Sequence, residues 1–115
     1  IRAMALVHPV SPMVGLVIVG SGPEQAKLKA LVSKLKLNEV VMFEPWTNSP
    51  ASYYKTANLF LNTSFYEGYG RTIVEALAGG CPVLSTDVGV AREVGAKITT
   101  FNVPDLTQAI LDLLP

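Results

Sequence analysis

One cysteine, one histidine and no long apolar run set the first limits on this chain of 115 residues. Cys81 has no partner for an intrachain disulfide, and together with His8 it falls short of the usual zinc ligand count. No metal is expected, and a reducing compartment is. The longest apolar stretches are strand-sized, well below the roughly 18 to 20 residues that span a bilayer. The N-terminus carries no signal-peptide pattern, so the chain reads as soluble and cytoplasmic. An excess of one charge is also lacking: nine Lys and Arg balance nine Asp and Glu. No basic face is therefore expected to hold nucleic acid or an anionic membrane. Charged residues make up only 16% of the chain and hydrophobic ones 50%, which excludes a disordered polymer and points to a core covered on both sides. With no internal repeat, low-complexity tract or interdomain linker, one domain of common size is expected.

What is present is an alternation of strand and helix. Gly15 to Gly20 (GLVIVG) reads as a strand, and Pro23 to Leu37 as a helix with Ala26, Leu28, Leu31, Val32 and Leu35 at helical spacing. Pro23 suits the first turn of that helix, Glu24 complements the dipole there, and lysines gather toward the other end. Val40 to Phe43 is a strand, Ala51 to Thr56 a short helix and Ala57 to Leu61 a buried strand. A helix over Tyr69 to Ala78, a strand over Pro82 to Thr86, a weaker strand over Ala96 to Thr100 and a helix over Asp105 to Leu114 complete the order. Continuous apolar strands mean that both sheet faces are covered, which predicts a Rossmann-like, doubly wound parallel sheet in three α/β/α layers. Ile1 to Val10 reads as the tail of a helix with Leu6 and Val7 inward, so the first, central strand of such a sheet is expected to be missing. The second and fourth strands must then pair directly or recruit a strand from elsewhere, since an unpaired buried edge is costly.

Ser64 to Glu75 (SFYEGYGRTIVE) follows the apolar strand NLFLNT at its carboxyl end, where ligands dock in open α/β sheets. Gly68 and Gly70 let the backbone turn tightly and approach a ligand. The helix that opens there offers unpaired N–H groups and a positive dipole end, which suit a diphosphate without a metal. Glu67 and Glu75 flank that anion site. Carboxylates only accept hydrogen bonds and sugars are rich in hydroxyls, so the pair suits a nucleotide sugar laid across the helix start.

Other features read more plainly. Gly20 to Pro23 resembles a dinucleotide fingerprint until Gln25, which stands where the third glycine belongs. Cys81 is expected to be a small buried hydrophobe and His8 to be structural or solvent-facing. The sequon at Asn62, Thr63 and Ser64 is a chance match, and Phe43, Trp46, Tyr53 and Tyr54 are expected in core and loop packing, with one of them able to cover a base.

Glu67, seven intervening residues and Glu75, set within E-G-Y-G-x-x-x-x-E-A-x-x-x-G-x-P-V, resemble the signature of the glycosyltransferase group 1 family, also called glycosyltransferase family 4. LVIVGSGPE, VVMFEPW and YKTANLFLNTS fall in the family's order and approximate spacing, so the resemblance runs from about residue 14 to 114. It implies the C-terminal, donor-binding domain of a two-domain retaining enzyme of GT-B architecture that transfers a hexosyl group, partnered by an N-terminal acceptor-binding domain. By that likeness Glu75 binds the ribose hydroxyls and Glu67 faces the transferred sugar as the catalytic-site acid. The backbone amides of Gly68, Tyr69, Gly70, Arg71 and Thr72 lie along sugar and phosphates, Gly20 and Ser21 line the cleft, and the loop from Phe43 approaches the base. No metal or other cofactor is implied; the ligand is the nucleotide-diphosphate sugar, with UDP and GDP both open. The family's phosphate-clamping Arg and Lys precede the region matched, and Arg71 is not given their role. The piece by itself is expected to be catalytically silent, to touch a membrane only through parts outside it, and to be able to associate through an exposed sheet edge.

Plainer alternatives stand beside this. Glu75 forms an i, i+4 ion pair with Arg71 on a solvated helix face in one of them, and Glu67 is an exposed loop acid near a helix start. The chain as a whole is then a stand-alone or degenerate nucleotide-sugar-binding or structural interaction domain without catalysis. A nicotinamide oxidoreductase fits less well, because Gln25 breaks the fingerprint and no ribose-reading acid follows about 20 residues on.

Overall fold

A computed structural model describes residues 1–115, which divide into two compact units, Ile1–Asn48 and Ser49–Pro115. The first unit holds α1 (Met4–Val10), β1 (Leu16–Val19), α2 (Gln25–Lys34) and β2 (Val41–Glu44). β1 and β2 pair in parallel, Leu16 opposite Val41 and Val19 opposite Glu44, with α2 supplying the crossover that parallel neighbours need. Three sequence expectations change here. Val7 is fully buried but Leu6 is 48% exposed, because successive helical residues point about 100° apart and α1 shelters one face only. β1 is not buried throughout: the period of two along a strand puts Leu16 and Ile18 on a sheltered face and leaves Val17 and Val19 exposed. Pro23 and Glu24 lie just before α2 rather than in its first turn, and Glu24 gives no side-chain cap.

The second unit holds α3 (Ala51–Thr56), β3 (Phe60–Asn62), α4 (Arg71–Ala78), β4 (Val83–Thr86), β5 (Lys97–Thr99) and α5 (Val103–Leu113). Its strands run parallel in the order β3-β4-β5, with Asn62 opposite Ser85 and Thr86 opposite Thr99. β4 is central and all four of its residues are buried, which is the fate of a strand covered on both faces. α4 packs on β3 and β4, α3 on α4, and α5 on β5. Tyr54, Ile73, Ala76, Cys81, Val83, Val88, Ala91 and Ala96 form the core, with Phe60, Leu77 and Ile98 against it. The α/β arrangement with parallel strands is the one expected. The ladders are two, one in each unit.

Local chemistry sets where these helices stop and start. At the end of α4, Gly80 adopts a left-handed φ of 82°, the Cys81 N–H reaches back to the Ala76 carbonyl and the Gly80 N–H to that of Leu77, each at 3.0 Å. This is the Schellman closure that a glycine pair after an apolar helix permits. α5 begins two residues earlier than the sequence suggested, because Asn102 caps it, accepting the Asp105 N–H on its side chain at 3.3 Å. Asn102→Ala is expected to lower unfolding free energy by about 1 kcal/mol, read as a shift in the urea midpoint at unchanged slope. Asn102→Asp, which preserves the cap, should restore it.

Candidate functional site

The site residues of the second unit sit where β3 ends and α4 begins. Gly70 precedes the helix with φ 93° and ψ 48°, a left-handed conformation that glycine adopts without penalty. Its carbonyl accepts the N–H groups of Ile73 at 3.0 Å and Val74 at 3.3 Å. The helix has no side-chain cap, so the amides of Arg71 and Thr72 at its first turn are left for an outside acceptor. Gly68, Tyr69, Arg71 and Thr72 are exposed and Gly70 is buried. The positive end of the helix dipole lies at the same place, so this turn favours an anion.

Both carboxylates have partners within the chain. Glu75 accepts a hydrogen bond from Arg71 Nε at 2.7 Å, with Arg71 largely exposed. The ion pair foreseen as the plainer alternative therefore forms. An exposed i, i+4 pair contributes only a few tenths of a kcal/mol, so exchanging it for ligand hydroxyls costs little. Glu75 also helps raise the pKa of the nearby Tyr54 phenol; burial raises it most, and Cys81 adds a third contribution. Glu67 is half-buried and accepts a hydrogen bond on Oε1 from the Ser64 hydroxyl at 2.9 Å.

The loop carrying Glu67 is tied down along its length. The Ser64 N–H donates to Asn62 Oδ1 at 3.1 Å, and Thr86 Oγ1 donates to the Ser64 carbonyl at 2.6 Å. Farther on, the Val90 N–H donates to the Tyr69 carbonyl at 2.8 Å. The Phe65 ring stacks on Phe101 with centroids 4.6 Å apart. Asn62 is buried, and its Nδ2 has no hydrogen-bond partner. Thr86 and Val90 are the participants that sequence reasoning did not single out, and Ser64 was named there without a role toward Glu67.

Gly20, Ser21 and Phe43 belong to the first unit, where they come together in lining a pocket of about 230 Å³ with Ile18, Leu28 and the turn before α2. Gly20 has φ 118° and donates its N–H to the Glu44 carbonyl at 3.0 Å. Lys29 Nζ stands 5.5 Å from the centre of the Phe43 ring. Trp46, expected in packing, is instead 71% exposed on the loop after β2. Cys81 is buried and its thiol is pushed up by that burial, against a smaller opposing pull from the Phe60 backbone; such a thiol is no nucleophile. His8 is half-buried, with Nδ1 shielded and unpartnered. No helix is long and apolar enough to cross a membrane.

Comparison with known proteins bears on this arrangement. The profile of the family described as Glycosyl transferases group 1 matches residues 1–105. The chain is 35% identical over 121 residues to the poly(glycerol-phosphate) alpha-glucosyltransferase of Bacillus subtilis, a match covering 99% of this chain and 18% of that protein. It is 31% identical over 99 residues to the lipopolysaccharide core biosynthesis mannosyltransferase LpsB of Rhizobium meliloti, covering 82% of this chain and 28% of that one. Among solved structures, S. aureus TarM in complex with fondaparinux, alpha-GlcNAc-glycerol and UDP superposes with a TM-score of 0.89 at 26% identity, over 97% of this chain and 24% of TarM. Anabaena HepE in complex with UDP and glucose gives a TM-score of 0.81 at 28% identity, over 95% of this chain and 33% of HepE. The chain thus spans between 18% and 33% of the length of these proteins.

Proposed function

The chain belongs to the glycosyl transferases group 1 family, and from that premise we propose that it is the donor-binding portion of a larger retaining glycosyltransferase. The reaction is transfer of a hexosyl group from a nucleoside diphosphate to an acceptor held by another part of the enzyme, so the 115 residues by themselves bind donor and do not turn over. One observation carries the reading: the uncapped start of α4, whose Arg71 and Thr72 amides are open, with Glu67 shortly before it in the chain and Glu75 in its second turn.

Each residue then has a task. The N–H groups of Gly68 to Thr72 and the α4 dipole hold the diphosphate and stabilise its charge as it departs, which is why this reading needs no metal. Glu75 exchanges Arg71 for the ribose hydroxyls, and Glu67 accepts from the transferred sugar. Gly20, Ser21 and Phe43 lie in the first unit, and their part in donor binding rests on the family resemblance alone. TarM and HepE were both solved with UDP, which supports a uridine nucleotide as the first ligand to try.

Calorimetry with UDP and with 2′,3′-dideoxy-UDP tests this. Hydrogen bonds to a charged group are worth about 1.5–3 kcal/mol, so Glu75→Ala is expected to weaken UDP by roughly 10- to 100-fold while leaving the dideoxy compound unchanged. Equal weakening of both would remove the ribose role. The Arg71–Glu75 ion pair favours a second reading, a structural interaction domain in which Glu75 serves the helix and not a ligand. Its signature is an unchanged UDP affinity in Glu75→Ala, or no nucleotide binding by the wild type.

A further inference from the structure

We infer that Ser64 is the positioning residue for Glu67, fixing its carboxylate in the orientation from which it meets the transferred sugar; this rests on the donor-binding reading above. All three polar groups of Ser64 are engaged, each with a different partner. Its N–H donates to Asn62 Oδ1 and its carbonyl accepts from Thr86 Oγ1. Asn62 and Thr86 are the last residues of β3 and β4, neighbouring parallel strands. Both partners are buried, Thr86 to 1% exposure and Asn62 to 7%, where hydrogen bonds are strengthened by the lower dielectric. The Ser64 backbone is thereby fixed to the sheet from two sides, and only its hydroxyl remains to act outward.

That hydroxyl donates to Glu67 Oε1 at 2.9 Å. A glutamate on a turn has freely rotating side-chain torsions and loses that freedom when it binds a ligand, unless something has already fixed it. A hydroxyl suits this task better than a cation would. It occupies one lone pair of one oxygen and adds no charge, leaving Oε2 and the remaining Oε1 capacity to accept sugar hydroxyls. The path of constraint runs from the strand ends through Ser64 to the carboxylate, three residues farther along the chain.

The test compares UDP with UDP-glucose and UDP-N-acetylglucosamine, and GDP with GDP-mannose, on the 115-residue chain. The quantity read is the gain in affinity that the sugar brings over the bare nucleotide. Ser64→Ala removes only Oγ and retains both backbone bonds. It is expected to cut the sugar-dependent gain about fivefold while leaving the bare nucleotide unchanged, the size of one hydrogen bond. Ser64→Thr, which keeps a hydroxyl, should retain most of the gain. Ser64→Ala combined with Glu67→Ala should be no weaker than Glu67→Ala alone. An equal loss for nucleotide and nucleotide sugar, additive losses in the double variant, or no loss in Ser64→Ala would each overturn the inference. If Glu67→Ala itself leaves the sugar-dependent gain untouched, or no nucleotide binds, the donor-binding reading fails and the Ser64 role falls with it. Failure of Ser64→Ala alone, with Glu67→Ala effective, removes only the inference.

Discussion

Gly89→Ala is expected to lower the unfolding free energy by about 3 kcal/mol or more, and to disturb the turn before α4 as it does so. Two costs combine. Gly89 has a φ of 51°, in the left-handed region that costs an L-residue with a Cβ about 1–2 kcal/mol. Its Cβ would also meet the Tyr69 carbonyl oxygen, with the carbonyl carbon at 2.7 Å and the Gly70 nitrogen at 3.2 Å. Those are backbone atoms, which cannot rotate away, and the Tyr69 carbonyl already accepts the Val90 N–H at 2.8 Å. Relief requires the Gly89 and Tyr69 segments to separate, which breaks that bond and releases the turn that presents the α4 amides. Gly95→Ala is the control: φ is 91°, yet nothing lies within 4 Å of its added Cβ, so it should lose only the conformational cost. Urea titration of both variants decides the matter. Equal losses would mean that the close approach to Tyr69 carries no weight.

The same glycine shows where reading the sequence reaches its limit. In DVGVAREVG nothing marks Gly89 as closer to any other segment than Gly95, because its neighbour is twenty positions earlier and the contact exists only once the chain has folded. The contact of Ser64 with Thr86 was hidden for the same reason, the two being 22 positions apart. The helix of Glu75 was legible because its signals are local: apolar residues at helical spacing, glycines before it and the Gly79–Gly80 pair after it. α5 was placed two residues late because Asp105 was read as its start when Asn102, earlier in the same turn, is the cap. β1 was legible as a strand from its β-branched apolar run, but composition does not say which face is covered. Val17 and Val19 look as buried as Leu16 and Ile18 and are not. The candidate carboxylates were legible from their spacing and so was the Arg71–Glu75 pair, one helical turn apart, whereas the Ser64 hydroxyl on Glu67 follows from the geometry of a tight loop. Sequence pattern thus located the elements and the acids, and tertiary approach decides how firmly each is held.

Ile73→Ala tests whether the core and the site are one mechanical object. Ile73 is completely buried within the second unit's core, alongside Tyr54, Ala76 and Val83. Truncating a buried isoleucine to alanine costs about 2–5 kcal/mol through lost transfer energy and the cavity left behind, a large share of the roughly 5–15 kcal/mol that holds a domain folded. Ile73→Val should cost only about 0.5–1.5 kcal/mol. The position is also the third residue of α4: its N–H bonds to the Gly70 carbonyl at 3.0 Å, and its Cδ1 lies 3.0 Å from where a Cβ on Gly70 would stand. Removing the side chain therefore empties the space directly against the residue that sets the helix start. If the proposed diphosphate site depends on that support, Ile73→Ala should weaken UDP under conditions where circular dichroism shows the chain still folded, and Ile73→Val should bind normally. A stable, fully binding Ile73→Ala would separate the two and leave the α4 start held by its glycine and by the Val90–Tyr69 hydrogen bond alone.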